Sequence, residues 1–153
     1  MYAKSEAAAI RQEFWTNLGR YMSPVFSSEG EKVNWINYKT GEKNIAFRMQ
    51  ADNHSAIIAI EISHKDPVIR EVYYEQFLQF RKFMEEASGE EWTWMKEITD
   101  ETGKKFSRIS REISRVNIYN KDDWPSLITF FKHRLIVLDA FWNQVKYSFE
   151  SLH

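Results

Sequence analysis

This chain of 153 residues contains no cysteine, five glycines and three prolines. Without thiols there can be no disulfide, thiolate metal site or thiol nucleophile. Five scattered glycines leave no room for a Walker-type phosphate loop or a dinucleotide fingerprint. No apolar run approaches a membrane span, and the opening MYAKSEAAAIRQEF lacks the apolar centre of a signal peptide. A soluble, cytoplasmic protein without membrane contact is expected. A surplus of either charge is also missing, with 21 Lys and Arg against 22 Asp and Glu, a formal net charge of -1. Proteins that grip duplex nucleic acid over a wide footprint carry a basic excess. Any such role here must rest on local asymmetry.

Aromatic residues are abundant, at 16% of the chain, with six Trp, seven Tyr and eleven Phe. Each buries a large area, and most fall on periodic faces, which predicts an aromatic-rich core. The length suits one domain, residues 1–153, with a single core.

Ser5 is a candidate N-cap for a first helix in which Ile10, Phe14, Leu18 and Tyr21 recur at helical spacing, ended by Ser23-Pro24. Residues 33–38 and 44–51 alternate around a Lys39-Thr40-Gly41-Glu42 turn, and the apolar run 56–62 follows an Asp52-Asn53-His54 turn. These three read as an antiparallel meander. Asp66-Pro67 opens a helix whose inner stripe is Ile69, Tyr73, Phe77, Phe80, Met84 and Ala87, with Gly89 as its stop. Residues 92–98 read as a strand. Residues 104–116 fit two templates. Phe106, Ile109, Ile113 and Val116 have helical spacing, whereas the position across the Thr102-Gly103 turn suits a hairpin partner. We read a strand. Asp122-Asp123-Trp124-Pro125 then opens a last helix, 125–150, with Phe131, Leu135, Leu138, Trp142, Val145 and Phe149 on one stripe. The expected architecture is α+β, ordered α-β-β-β-α-β-β-α, a mostly antiparallel sheet with helices packed on one face.

Several short signals recur in a characteristic order. They are Phe14-Trp15, Trp35, Ile62-Ser63-His64-Lys65 and Glu85-Glu86-Ala87-Ser88-Gly89-Glu90-Glu91-Trp92. Lys104-Lys105-Phe106-Ser107-Arg108-Ile109 and Asp123-Trp124-Pro125 complete the series. Over nearly the whole chain this order resembles a bacterial family, the domain of unknown function 4268. Members often carry this domain at the C-terminal end of restriction-endonuclease-like or defence-associated proteins. The resemblance therefore implies a nucleic-acid-associated setting, but it transfers no catalytic residue.

Catalytic chemistry is hard to find in the residues themselves. A restriction-type nuclease needs two acids and a lysine at acid-x-Lys spacing to hold and use Mg²⁺. Asp52 and Glu61 are the candidate acids, but Ile62-Ser63 follows Glu61 and Lys65 comes four residues on, so the spacing fails. His54, His64, His133 and His153 have no metal-ligand spacing. His64 with Glu61 could form an acid–base pair only beside a pocket; otherwise it is a loop histidine. No catalytic, cofactor-binding or metal residues are assigned, and no cofactor is expected.

Charge is segregated locally. Acids crowd residues 85–101, while Lys104, Lys105, Arg108, Arg111 and Arg115 crowd 104–115 with one acid, Glu112, among them. One reading is a phosphate-neutralising strip, with Trp92 or Trp94 stacking on bases. The other is cross-strand pairing within one hairpin. Three functions follow: a non-catalytic nucleic-acid-associated module in a restriction or defence context, a protein-interaction or homodimerisation domain using helix 125–150, and a metal-dependent nuclease.

Overall fold

The computed structural model describes residues 3–152, so the fourth histidine, His153, lies outside the described residues. The order is α1 (Lys4–Met22), β1 (Ile45–Ala51), β2 (Ser55–Ile62), α2 (Pro67–Leu78), α3 (Arg81–Ser88), β3 (Thr93–Thr99), β4 (Lys105–Ser114), α4 (Trp124–Val145) and α5 (Tyr147–Glu150). The α+β class and the antiparallel sheet are as expected. The sheet has four strands in the order β1-β2-β4-β3, with every pairing antiparallel.

One expected strand is not there: residues 33–38 have no regular structure. Their alternation has another cause. The Asn34 side chain accepts the amides of Ile36 and Asn37, which bends the backbone into a turn. Trp35 is 3% exposed and donates its indole N–H to the Val25 carbonyl. Tyr38 stacks on Phe47, with ring centroids 4.7 Å apart. Both aromatic rings are thus anchored without a ladder. Two smaller corrections follow. α1 starts at Lys4 without a side-chain cap, so Ser5 does not cap it. The second helix is broken near Gln79-Phe80 into α2 and α3.

Other local signals fold as expected. Asp66 accepts the Val68 amide and caps α2, with Pro67 in its first turn. Gly89 ends α3 at φ 73, a left-handed conformation that disfavours any side chain. Asp52 accepts the amides of His54 and Ser55, shaping the β1–β2 turn. Residues 105–114 form a strand.

The core lies on one face of the sheet. Ile58, Ile60 and Ile62 of β2, with Ile45 and Phe47 of β1 and Ile109 of β4, meet Phe77 of α2 and the apolar side of α4. Phe14, Trp15, Trp124 and Phe131 form one aromatic group. Phe77, Trp142 and Phe149 form a second. The stripe of the last helix, Phe131, Leu135, Leu138, Trp142, Val145 and Phe149, is buried throughout. It therefore packs within its own fold, where width and length alone had left a partner interface open. No helix among the described residues is long and apolar enough to cross a membrane.

Candidate functional site

Strand alternation sends every second side chain of the sheet away from the helices. On that far side the register aligns Ala46, Glu61, Arg108 and Met95 in one row, and Arg48, Ala59, Ser110 and Thr93 in the next. None of these residues joins the hydrophobic core cluster. Phe106 is 9% exposed and sits opposite Ile98, yet it too stands outside that cluster. Arg11 and Trp15 of α1 close a cavity beside Gln50, Ile57, Arg108 and Glu112 at one edge of this face, and no helix residue lines the depression at its other end, which is left uncovered.

Its centre is built from small residues. Ala59 and Ser110 are flanked on the same face by the longer Arg48, Glu61 and Arg108. With the loop that joins β3 to β4, the three longer residues border a cavity of about 480 Å³, whose lining also includes Gln50, Ser63 and Lys104. The loop is rigid for local reasons. Asp100 accepts the Thr102 hydroxyl at 2.7 Å and the amides of Thr102 and Lys104. The Thr102 hydroxyl, followed by the Lys104 and Thr102 amides, holds the Asp100 carboxyl below its ordinary range. Gly103 turns the chain at φ 85.

Glu61 lies between two arginines. Arg48 Nε approaches its Oε1 at 3.8 Å, and Arg108 is its register partner on β4. Burial nonetheless pushes the Glu61 carboxyl above its ordinary value, against the opposing pull of Arg48, Arg108 and Lys104. Arg108 Nε is buried and has no hydrogen-bond partner. A buried N–H without an acceptor is costly, and a ligand oxygen would satisfy it.

The strand resolves the six expected site residues into different places. Arg108 and Lys104 border the uncovered cavity. Arg111 points to the helix side, where its Nε lies 3.2 Å from Glu90 Oε1 and its Nη1 donates to the Glu91 carbonyl at 3.1 Å. Lys105 is exposed and lines a neighbouring cavity that also takes in Lys104. Arg115 bends the chain after β4 at φ 63, apart from both cavities. Trp92 is 4% exposed and donates to the Ser88 hydroxyl at 3.0 Å, so its ring is part of the core and offers no stacking surface. The acids of the sequence fare similarly. Asp52 closes the β1–β2 turn, while Glu61 is paired with Ala46 near the other end of the strands. Six residues along a strand separate them by roughly 20 Å, too far to share an ion. His64 is engaged locally, its Nδ1 accepting the Asp66 amide. Among the described residues no group of three or more His, Cys, Asp or Glu could hold a metal ion.

Sequence reasoning missed Arg48 and Gln50. Their shared face was legible from alternation in β1, but their closeness to Arg108 depends on β2 standing between β1 and β4. A family model described as Domain of unknown function (DUF4268) matches residues 10–146. No curated protein and no solved structure matches the chain.

Proposed function

Because the chain belongs to the domain of unknown function 4268 family, whose description assigns no reaction, we propose a function from the site itself. The domain is a non-catalytic module that binds single-stranded nucleic acid on the uncovered face of its sheet, in a restriction or defence setting. The observation that carries this reading is the buried Arg108 Nε without a partner, in a cavity where Arg48, Arg108 and Lys104 stand beside Glu61, Asp100 and Glu101. A cavity of about 480 Å³ suits nucleotide-sized pieces of an extended strand. A duplex is far wider than this depression. Gln50 and Thr99, which also line the cavity, add donors for phosphate and sugar oxygens. No large aromatic ring on this face is exposed, so binding is led by phosphates and has little sequence preference.

Fluorescence anisotropy with labelled single-stranded oligonucleotides at several salt concentrations tests the reading. Three cations facing phosphates give a slope of log affinity against log salt of about -2, at roughly 0.7 per phosphate on a single strand. Changing Arg108→Glu in a protein that stays folded lowers affinity about tenfold or more, since it removes a charge-assisted contact and adds a repulsion. Failure to bind any strand at about 50 mM salt, where such contacts are strong, overturns the proposal.

A further inference from the structure

A second cavity, about 360 Å³, opens where β2 runs into α2 and the β3–β4 loop returns to the sheet. Its lining includes Ser63, Lys65, Arg70, Glu97, Lys104 and Lys105. Four cations thus face one carboxylate. That carboxylate is already engaged, because Arg70 Nη2 donates to Glu97 Oε1 at 3.0 Å while Nη1 donates to the His64 carbonyl at 3.0 Å. Arg70 is 4% exposed, so it is a fixed charge in the wall of the cavity.

The three lysines are different. Lys65, Lys104 and Lys105 are exposed, and none has an ion pair among the described residues. Lys104 also feels the Glu61 and Asp100 carboxylates, so the excess positive charge of the hollow falls on Lys65 and Lys105, and an anion there relieves it. Ser63 and Lys104 also line the cavity on the uncovered face. The two hollows therefore adjoin.

An internal phosphodiester carries one negative charge, whereas a terminal phosphate carries close to two near neutrality. We propose that the basic cavity binds the terminal phosphate of a nucleic-acid strand, so that the domain recognises phosphorylated ends. This rests on the reading of the uncovered face as a strand-binding surface. Lys65 and Lys105 neutralise the dianion from either side, Lys104 bridges it to the adjoining phosphate, and the Ser63 hydroxyl donates to it.

The test compares one oligonucleotide sequence bearing a 5′-phosphate, a 3′-phosphate or hydroxyls at both ends, by anisotropy with an internal label. One of the phosphorylated strands should bind about tenfold more tightly than the hydroxyl strand, the scale of one charge-assisted contact. Inorganic phosphate and adenosine monophosphate, added separately as competitors, should erase that preference and leave hydroxyl-strand binding in place. The double variant Lys65→Glu/Lys105→Glu should lose the preference in the same way, and its circular dichroism should match the parent. Equal affinity for all three strands overturns this inference and leaves strand binding on the face intact. A preference that survives the double variant or the phosphate competition also overturns it, because recognition then lies elsewhere. Binding of none of the strands overturns both proposals.

Discussion

Glu61 tempers the charge of the uncovered face, because it is the carboxylate between Arg48 and Arg108. Burial holds its pKa above the ordinary carboxylate value. The folded protein therefore binds this proton more tightly than the unfolded chain does. The resulting stability is fully present below the ordinary value and is lost as pH rises through the raised one. Urea unfolding across a pH series should show that decline in the stability difference between the parent protein and Glu61→Gln, which cannot titrate. The same substitution frees both arginines from their carboxylate, so strand binding at neutral pH should tighten several-fold. Weaker binding by the Gln variant would mean that Glu61 holds Arg108 in place more than it competes with the ligand. At this scale the sequence was partly legible. Alternation placed Glu61 opposite the apolar face of β2, but only the pairing register shows which cations flank it.

At the scale of elements, the decisive fact is that residues 105–114 are a strand. On a helix, Arg108 and Arg111 would share a face; on a strand with period two they point to opposite sides. One basic strip in the sequence thus becomes two unrelated sites. Arg111 joins Glu90, which also receives Arg134 through two contacts of 2.9 Å. That cluster ties the start of β3 to α4. Glu90→Ala should cost about 2 kcal/mol in urea unfolding, since it removes both carboxylate contacts of the largely enclosed Arg134. Arg108→Ala should cost less than about 1 kcal/mol, because its Nε has no partner to lose, while weakening strand binding. If Arg111→Ala weakened binding as much as Arg108→Ala at unchanged stability, the split between faces would be refuted. The Gly103 turn had pointed to this hairpin, and periodicity alone would have pointed to a helix. The same reasoning failed at residues 33–38. There, Trp35 and Tyr38 imitate strand alternation because each ring is anchored separately, one to Val25 and the other against Phe47.

Across the whole molecule, α4 is the element to which almost everything is attached. Phe131 holds α1 through Phe14 and Trp15, and Arg134 reaches Glu90 beyond α3. The long irregular stretch 23–44 depends on α4 even more. Asp139 is 1% exposed and accepts the Ser28 amide at 2.7 Å, the Tyr38 hydroxyl and the Asn143 side chain. Trp142 Nε1 donates to the Thr40 carbonyl at 2.8 Å. Burial, followed by the hydrogen bond to Asp139, raises the Tyr38 phenol, so it stays neutral through the ordinary alkaline range. The apolar stripe of α4 was plain in the sequence. The burial of Asp139 was not, because a lone acid on a helix reads as solvated until the loop that covers it is placed. A stretch this long without regular structure is stable only if fixed by such contacts. Asp139→Ala removes the buried acceptor that the Ser28 amide, the Tyr38 hydroxyl and the Asn143 side chain share and should cost about 2 kcal/mol. Since the loop and both aromatic groups share one helix, that loss should be felt everywhere at once. Near-ultraviolet dichroism from the tryptophans and far-ultraviolet dichroism from the helices should shift to lower urea by the same amount, with coincident transitions. If the near-ultraviolet signal were lost first while the helices remained, the 23–44 stretch would be a separate unit resting on an independently stable core.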